Sequence, residues 1–143
     1  MNVVQIKTLD PRCEPKKTYS TDAGADLVSV KSFVLYPGDT ELFDTGVSIK
    51  VPVGYVGLVF NRSSQGKIHV QIPHSVGVID SPYRGNIKVL LKNNGENPYT
   101  VLAYDTRIAQ LVIMPIMLPA FIEYAGSDWD NTVRGTGGFG STG

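Results

Sequence analysis

The stretch GVIDSPYRG at residues 77–85 places a carboxylate, Asp80, directly after two apolar residues and before a turn signal formed by Pro82 and Gly85. A carboxylate set against an apolar strand is costly unless it has a partner or a task. One such task is to orient and deprotonate a water molecule as a general base. The alternative is a turn-capping aspartate, which is common in hairpins, and the stretch alone leaves both interpretations open.

The stretch NRSSQG at residues 61–66 follows the apolar run GLVF and offers donors for an anion. Ser63 or Ser64 is a candidate N-cap for a short helix. Free N–H groups at a helix start favour a negative charge, and Arg62 adds a fork of donors that matches phosphate. A capped turn with a solvated arginine is the alternative interpretation.

The C-terminal stretch RGTGGFGSTG at residues 134–143 contains five glycines, so we do not expect it to fold alone. Glycine N–H groups can approach phosphate oxygens closely, and Ser141 and Thr142 add hydroxyl donors. Arg134 supplies charge, and Phe139 can stack on a nucleotide base. No lysine follows the glycines, which excludes a Walker A loop. A generic flexible tail is the alternative interpretation.

The stretch TDAGADLVS at residues 21–29 sets two carboxylates, Asp22 and Asp26, around Ala-Gly-Ala. A lone carboxylate is a weak metal site, but Mg²⁺ keeps its waters and takes substrate phosphates as partners. A structural turn is the alternative interpretation. Two anion-binding elements, one aromatic ring and one carboxylate together suit a nucleoside polyphosphate. The sequence shows no βαβ unit that would support a dinucleotide fold.

The elements that must position these residues follow a hydrophobic period of two. The stretch VSIKVPV at residues 47–53 predicts a strand with Val47, Ile49, Val51 and Val53 on one face. The stretch NIKVLLKNNG at 86–95 predicts another strand, which runs into an Asn-Gly turn signal. The stretch AQLVIMPIML at 109–118 is continuously apolar, which predicts a strand buried on both faces, and its proline opposes a long helix. Turn signals recur about every ten residues, as in all-β sandwiches and barrels. The sequence therefore predicts one all-β domain with at most one short helix.

Length, charge and cysteine content narrow the class of protein further. The chain has 143 residues, which suits a single domain, and 13 basic residues balance 13 acidic ones. The net charge therefore creates no overall electrostatic field that would favour binding to nucleic acid or to an anionic membrane. The single cysteine, Cys13, cannot form an internal disulfide. The sequence shows no signal-peptide pattern and no apolar run of about 20 residues, so we expect a cytoplasmic location.

Taken in order, five stretches resemble the five motifs of the homotrimeric deoxyuridine triphosphatase (dUTPase) family, and the resemblance runs from residue 21 to the C-terminus. The stretches are AGADL at 23–27, RSSQG at 62–66, GVIDSPYRG at 77–85, RIAQL at 107–111 and RGTGGFGSTG at 134–143. The resemblance implies a single domain over residues 1–143, a jelly-roll-like β-barrel with residues 134–143 as a mobile arm. It also implies Mg²⁺-dependent hydrolysis of dUTP to dUMP and pyrophosphate, at active sites shared within a homotrimer, with neither nucleic acid nor membrane as a partner.

The resemblance also implies a role for individual side chains. Asp80 matches the aspartate that orients the attacking water, and Asp26 matches the one that reaches Mg²⁺ through water while the substrate phosphates hold the metal. The expected uracil and deoxyribose contacts are His74, Gly77, Val78, Ile79, Tyr83, Lys88 and Phe139. The expected phosphate contacts are Arg62, Ser63, Ser64, Gln110, Arg134, Gly137, Gly138, Ser141 and Thr142.

Some positions depart from the common pattern of the family. His74 stands where many members carry asparagine, and Ser64 stands where many carry glycine. Trp129 is interpreted as a packing anchor for the base of the arm, with a second aromatic ring in the lid as the alternative.

Two other functions fit the same fold. One is a dCTP deaminase, for which the sequence offers no clear additional carboxylate. The other is a catalytically silent regulator, and the joint presence of Asp80, Tyr83, Arg134 and Phe139 argues against it.

Overall fold

Short antiparallel strands dominate the computed structural model, which describes residues 3–141. The strands are β1 (Gln5–Thr8), β2 (Ala25–Val28), β3 (Phe33–Leu35), β4 (Thr40–Asp44), β5 (Val47–Lys50), β6 (Tyr55–Phe60), β7 (Val70–Gln71), β8 (Gly77–Ile79), β9 (Lys88–Asn93), β10 (Tyr99–Val101) and β11 (Arg107–Pro115). One α-helix, α1 (Ser63–Lys67), and one 3₁₀ turn, Pro11–Cys13, complete the elements of this part of the chain. Over the same residues, no helix has the length and apolar character needed to cross a membrane.

Four small sheets arrange these strands. The largest has the order β2-β11-β6-β8, a second has the order β4-β9-β7, and β1-β5 and β10-β3 form two-stranded ribbons. Every paired strand is antiparallel to its neighbour. The predicted all-β, jelly-roll-like fold with one short helix is confirmed, although the described strands form open sheets and not one closed barrel.

The hydrophobic core lies between these sheets. Its largest fully buried side chains include those of Phe43, Leu27, Leu35, Ile87, Leu91 and Ile108. Strand β9 alternates between exposed or partly exposed and buried positions, as a period of two requires. Burying a large apolar side chain is worth about 1.5–3 kcal/mol, so this core supplies the main force that holds the sheets together.

Two details of the apolar pattern were predicted wrongly. Val53 was expected to share a face with Val47, but it is 80% exposed, because β5 ends at Lys50 and the chain turns at Gly54 with φ +85°. The apolar run at 109–118 does not stay in the sheet. Strand β11 ends at Pro115, which has no N–H to donate, and Met117 is 82% exposed.

After β11 the described chain continues to residue 141 without another strand or helix. Large apolar side chains of this segment face solvent, including Phe121 at 93% exposure and Ile122 at 89%. Exposed apolar residues grouped in this way are typical of interaction surfaces.

Candidate active site

Neighbouring strands bring Asp26, Arg62 and Gln110 to one end of the largest sheet. Gln110 on β11 pairs with Asp26 on β2 and with Phe60 on β6, two residues before Arg62. The Gln110 amide donates to the Asn61 carbonyl at 2.8 Å. These elements approach each other closely at Gly24, where an added Cβ atom would lie 2.3 Å from the Gln110 Oε1 atom and would displace that side chain.

The carboxylate of Asp26 holds two arginines in this region. Arg62 Nε donates to Asp26 Oδ1 at 2.7 Å, and Arg107 Nη1 donates to Oδ2 at 3.1 Å. The carboxylate is only 18% exposed, so solvent screens these pairs less than surface pairs. Asp26 therefore fixes two guanidinium groups side by side.

These side chains line an open polar cavity of about 390 Å³, which we call the basic cleft. The charged residues on its walls are Lys16, Arg62, Arg107, Asp22 and Asp26. Three cations against two carboxylates leave a net positive wall, so the cleft favours an anion although the whole chain carries no net charge. Ser63 adds a hydroxyl to the lining, whereas Ser64 is not part of it.

The helix beside the cleft begins differently from the prediction. Neither serine is the N-cap: Arg62 occupies that position and α1 starts at Ser63. The reason is Gln65, whose side-chain oxygen accepts the Arg62 backbone N–H at 2.8 Å, as in one half of a capping box. Because a five-residue helix carries only a small dipole, the attraction for an anion comes mainly from the arginines.

The stretch at 77–85 forms a hairpin end that supports a second, smaller cavity. Val78, Ile79, Asp80, Tyr83 and Lys88 line this hairpin cavity of about 170 Å³. Asp80 is exposed and directly follows β8. Within residues 3–141 its carboxylate accepts no hydrogen bond, so the turn-capping alternative is not observed there.

The ring of Tyr83 is held in a fixed orientation. Its hydroxyl donates to the Asn86 carbonyl at 2.8 Å, and its N–H donates to the Asp80 carbonyl at 3.0 Å, which closes the turn. A Cβ atom at Gly85 would lie 2.5 Å from the Tyr83 hydroxyl oxygen, so glycine is needed beneath the ring. Asn86 in turn donates to the Asp44 carboxylate at 3.2 Å, which ties the hairpin to the core sheet.

The other predicted base-binding residues lie near this hairpin or along β8. Gly77, Val78 and Ile79 form β8, which among the described strands pairs with β6 alone. On its outer edge, β8 therefore has backbone N–H and C=O groups without a partner from those strands. His74 is exposed, and its Nδ1 atom lies 3.1 Å from the Val76 carbonyl oxygen.

The basic cleft and the hairpin cavity lie at opposite ends of β6. Ile79, just before Asp80, pairs with Gly57 near the start of β6, whereas Arg62 follows its far end. Gly57 and Arg62 are five residues apart, a length of about 17 Å in an extended strand. The structure therefore does not bring Asp80 and Arg62 of one chain together.

The predicted arm residues contact each other and line neither cavity. Arg134 Nε donates to the Gly137 carbonyl at 2.9 Å, and the Ser141 N–H donates to the Gly138 carbonyl at 3.0 Å. Phe139 is fully exposed. Neither the basic cleft nor the hairpin cavity includes a residue from 134–141, and the predicted contact Thr142 lies outside the described residues.

Trp129 packs within the C-terminal segment. Its ring centroid lies 5.2 Å from that of Tyr124, whose hydroxyl bonds to the Asp128 carboxylate. Trp129 itself is 74% exposed, so its contact with Tyr124 tests neither the packing-anchor interpretation nor a role in a lid.

Metal binding by the protein alone is not supported. Within the described part of the chain, no group of three or more His, Cys, Asp or Glu side chains could hold a metal ion. Asp26 faces the basic cleft, and both of its oxygens accept hydrogen bonds from arginines. This donor set fits a Mg²⁺ ion that arrives with substrate phosphates and keeps its own waters, and not an ion held by several side chains.

Comparison with known proteins identifies the family to which this all-β chain belongs. The family model for dUTPase matches residues 12–143, and the chain belongs to the dUTPase family. The deoxyuridine 5'-triphosphate nucleotidohydrolase of Escherichia phage T5 is 38% identical, over 99% of each chain. That of Corynebacterium glutamicum is 44% identical, over 98% of this chain and 94% of the relative.

Solved structures give the same family. The Staphylococcus bacteriophage 80alpha dUTPase with dUPNHPP aligns with a TM-score of 0.85 at 30% identity, over 100% of this chain and 99% of that chain. A mutant dUTPase of Staphylococcus aureus phage phi11, described as coordinating a structural Mg(II) ion, aligns with a TM-score of 0.79 at 28% identity, over 90% of this chain and 100% of that chain.

Sequence reasoning missed several residues of the site. It placed RIAQL in a motif but gave a role to Gln110 only, whereas Arg107 shares Asp26 with Arg62. The sequence signal was a cation three residues before Gln110 in an otherwise apolar strand. Gln65 lies at the capping-box spacing from Arg62, a local signal to which no role was given. The bonds from Gln65 to Ile108 and from Asn86 to Asp44 join residues far apart in sequence and carried no signal.

Proposed function

We propose that this chain hydrolyses dUTP to dUMP and pyrophosphate in the presence of Mg²⁺. This is the activity named for its relatives from phage T5 and C. glutamicum. The observation that carries the proposal to this chain is the exposed carboxylate of Asp80 at the rim of a cavity that also presents Tyr83 and Lys88. We include a cytoplasmic location, where dUTP would be removed before uracil enters DNA, in this proposal.

Asp80 acts as the general base. It accepts a proton from a water molecule, whose oxygen attacks the α-phosphorus of dUTP. The bond from the α-phosphorus to the bridging oxygen breaks, and that oxygen leaves with pyrophosphate. Asp80 then releases its proton to solvent, and the enzyme is ready for the next cycle.

The hairpin selects the base and the sugar. The outer edge of β8 offers backbone donors and acceptors to the edge of uracil, and His74 lies at the entrance of the same hairpin. Tyr83 is held by its bond to the Asn86 carbonyl, has room for its ring because residue 85 is glycine, and supplies a flat floor beneath deoxyribose. A ribose 2′-hydroxyl has no space above a ring held in this way.

The basic cleft binds phosphate. Arg62 and Arg107 neutralise the negative charge that develops on the leaving group during the reaction. The Gln110 amide and the Ser63 hydroxyl help to orient the phosphate chain. Mg²⁺, held mainly by the substrate phosphates and reached by Asp26 through water, would supply further charge neutralisation.

The site is shared among subunits of a homotrimer. A separation of about 17 Å along β6 is too long for Asp80 and Arg62 of one chain to contact adjacent phosphates of one nucleotide. A neighbouring copy that places its basic cleft against the hairpin cavity removes this difficulty. The exposed apolar segment at 116–133 supplies a surface for such contacts.

Residues 134–143 act as a mobile arm that closes over the bound nucleotide. Arg134 then reaches the terminal phosphate and Phe139 covers uracil, while the backbone amides of Gly137 and Gly138 and the hydroxyls of Ser141 and Thr142 contact phosphate. The high glycine content supports this proposal, because ordering the arm has a large entropic cost. Only a ligand that contacts the arm with both its base and its phosphates offsets this cost.

A substrate panel tests the proposed function. With Mg²⁺ present, we expect pyrophosphate release from dUTP at a rate at least about 100-fold above that from UTP or dTTP, because Tyr83 and the β8 edge exclude a 2′-hydroxyl and a 5-methyl group. Pyrophosphate is measured by a coupled assay. Ammonia release from dCTP would favour a deaminase, and absence of pyrophosphate from every nucleotide would favour a silent regulator.

A further inference from the structure

Helix α1 buries one polar side chain, that of Gln65, which is only 2% exposed. Both polar atoms of its amide are hydrogen-bonded. Nε2 donates to the Ile108 carbonyl at 2.7 Å, and Oε1 accepts from the Arg62 backbone N–H at 2.8 Å and from Asn61 Nδ2 at 2.9 Å. A buried amide is tolerated only when it is satisfied in this way, so the side chain has one defined orientation.

The partners of Gln65 belong to two separate segments of the basic cleft. Asn61 and Arg62 lead from β6 into α1, and the Ile108 carbonyl belongs to β11, one residue after Arg107 and two before Gln110. A second hydrogen bond joins the same two segments, because the Gln110 side-chain amide donates to the Asn61 carbonyl. Gln65 thus lies behind the cleft and joins the two chain segments that carry its phosphate-binding side chains.

The surroundings of Gln65 shield its hydrogen bond to the Ile108 carbonyl from solvent. Ile108 is fully buried, and the neighbouring Tyr99 is half-buried. Burial raises the pKa of the Tyr99 hydroxyl, while Gln65 and Arg62 oppose that change. Water therefore has little access to the Ile108 carbonyl, which needs the Gln65 amide as its donor.

We propose that Gln65 is a positioning residue for phosphate binding: it fixes the Arg62 backbone and the Arg107–Gln110 segment relative to each other. The proposal rests on the proposed function for the ligand that the cleft holds. Gln65 itself lines neither cavity and touches no substrate. Gln65 acts on the ligand through Arg62, Asn61 and Ile108. Its replacement should therefore affect the binding of the phosphates more than the binding of the base.

The test compares Gln65→Leu with Gln65→Glu, using Gln71→Leu as the matched control. Leucine keeps approximate size and removes all three hydrogen bonds, whereas glutamate keeps the acceptors for Arg62 and Asn61. Gln71 is exposed on β7 and has no role in the site. For each variant, the affinities for an imido analogue of dUTP and for dUMP are measured, together with the melting temperature and amide exchange at Arg62.

Gln65→Leu should lower the affinity for the dUTP analogue about tenfold and the affinity for dUMP less than about twofold. The reason is that loss of the supporting hydrogen bonds shifts the phosphate-binding side chains that Gln65 positions. In the free protein, its Arg62 amide should exchange faster than in the wild type. Equal losses for both ligands, or unchanged affinity and exchange in a folded variant, would overturn the proposal. The exchange measurement needs no nucleotide, so it tests the link from Gln65 to the Arg62 backbone even if the wild type does not bind dUTP. The ratio of the two affinities tests the consequence for phosphate binding.

Gln65→Glu covers the case in which leucine prevents folding. When ionised, the introduced carboxylate repels the Ile108 carbonyl, and burial raises its pKa. When protonated, it can donate to that carbonyl. The affinity of this variant for the analogue, relative to the wild type at the same pH, should therefore recover as the pH falls. A ratio that stays constant with pH would contradict the role of the Gln65 donor.

Discussion

Replacing Asp80 with asparagine should lower kcat by about 10³-fold and leave the affinity for a non-hydrolysable dUTP analogue within about twofold of the wild type, because a general base contributes roughly 10²–10⁴-fold. Asparagine has almost the same shape as aspartate but cannot accept the proton of the attacking water. Asp80 is exposed and accepts no hydrogen bond from residues 3–141, so its replacement breaks no described contact and should not change the melting temperature.

The control for this variant is Asp105→Asn, an exposed carboxylate in the turn before β11 that takes no part in either cavity. It removes the same charge from the surface and should keep wild-type kinetics. Rapid-quench measurement of a single turnover separates chemistry from product release. An Asp80→Asn enzyme whose single-turnover rate equals that of the wild type would remove Asp80 from the mechanism.

Deleting residues 134–143 should lower kcat/KM for dUTP by at least about 100-fold, because the lid that excludes water and completes the site is lost. The described arm residues line neither cavity and contact each other. Their loss should therefore leave the melting temperature unchanged, and sedimentation should still give the mass of three truncated subunits, as in the proposed trimer.

The truncated chain also separates the arm from the rest of the site. Its affinity for dUMP should fall less than its affinity for the triphosphate analogue, because Arg134 is expected at the terminal phosphate. Near-normal turnover in an intact truncated trimer would refute the proposed role of the arm. A truncated chain that no longer forms trimers would instead show that these residues belong to the subunit interface.

Much of the fold could be predicted from local pattern. Alternation in the sequence identifies β9, and the absence of a long helical period is consistent with a single short α1 in the described chain. The pattern does not say where a strand leaves the sheet. Val53 and Met117 are apolar residues that lie beyond the ends of β5 and β11, and only the turn at Gly54 and the proline at 115 explain their exposure.

Some residues of the candidate site could also be predicted from local sequence, and others could not. Residues within compact motifs, such as Asp80 and Tyr83, could be identified from sequence because neighbours in the chain give their chemistry. The pair of Arg107 with Asp26 joins residues 81 positions apart, and the bond from Gln65 to the Ile108 carbonyl spans 43 positions. Such contacts depend on strand register, which local pattern does not encode. The separation of the two cavities along β6 became visible only with the sheet order.

The central claim is that a hairpin from one subunit and a basic cleft from another form each active site, and subunit complementation tests it most directly. Asp80→Asn and Arg62→Ala chains are each inactive alone and are co-expressed in equal amounts. In a ring of three, random assembly gives about three quarters of the trimers one intact site, so activity should recover to about a quarter of the wild type.

Co-expression of Asp80→Asn with the Asp80→Asn/Arg62→Ala double variant is the control, because no subunit then carries an intact hairpin. The purified trimers from each co-expression are assayed for pyrophosphate release from dUTP. Recovery to about a quarter of wild-type activity, with none in the control, is the result that shared sites predict. Co-expressed trimers that remain as inactive as either parent would show that each chain uses its own Asp80 and Arg62, and would contradict the account.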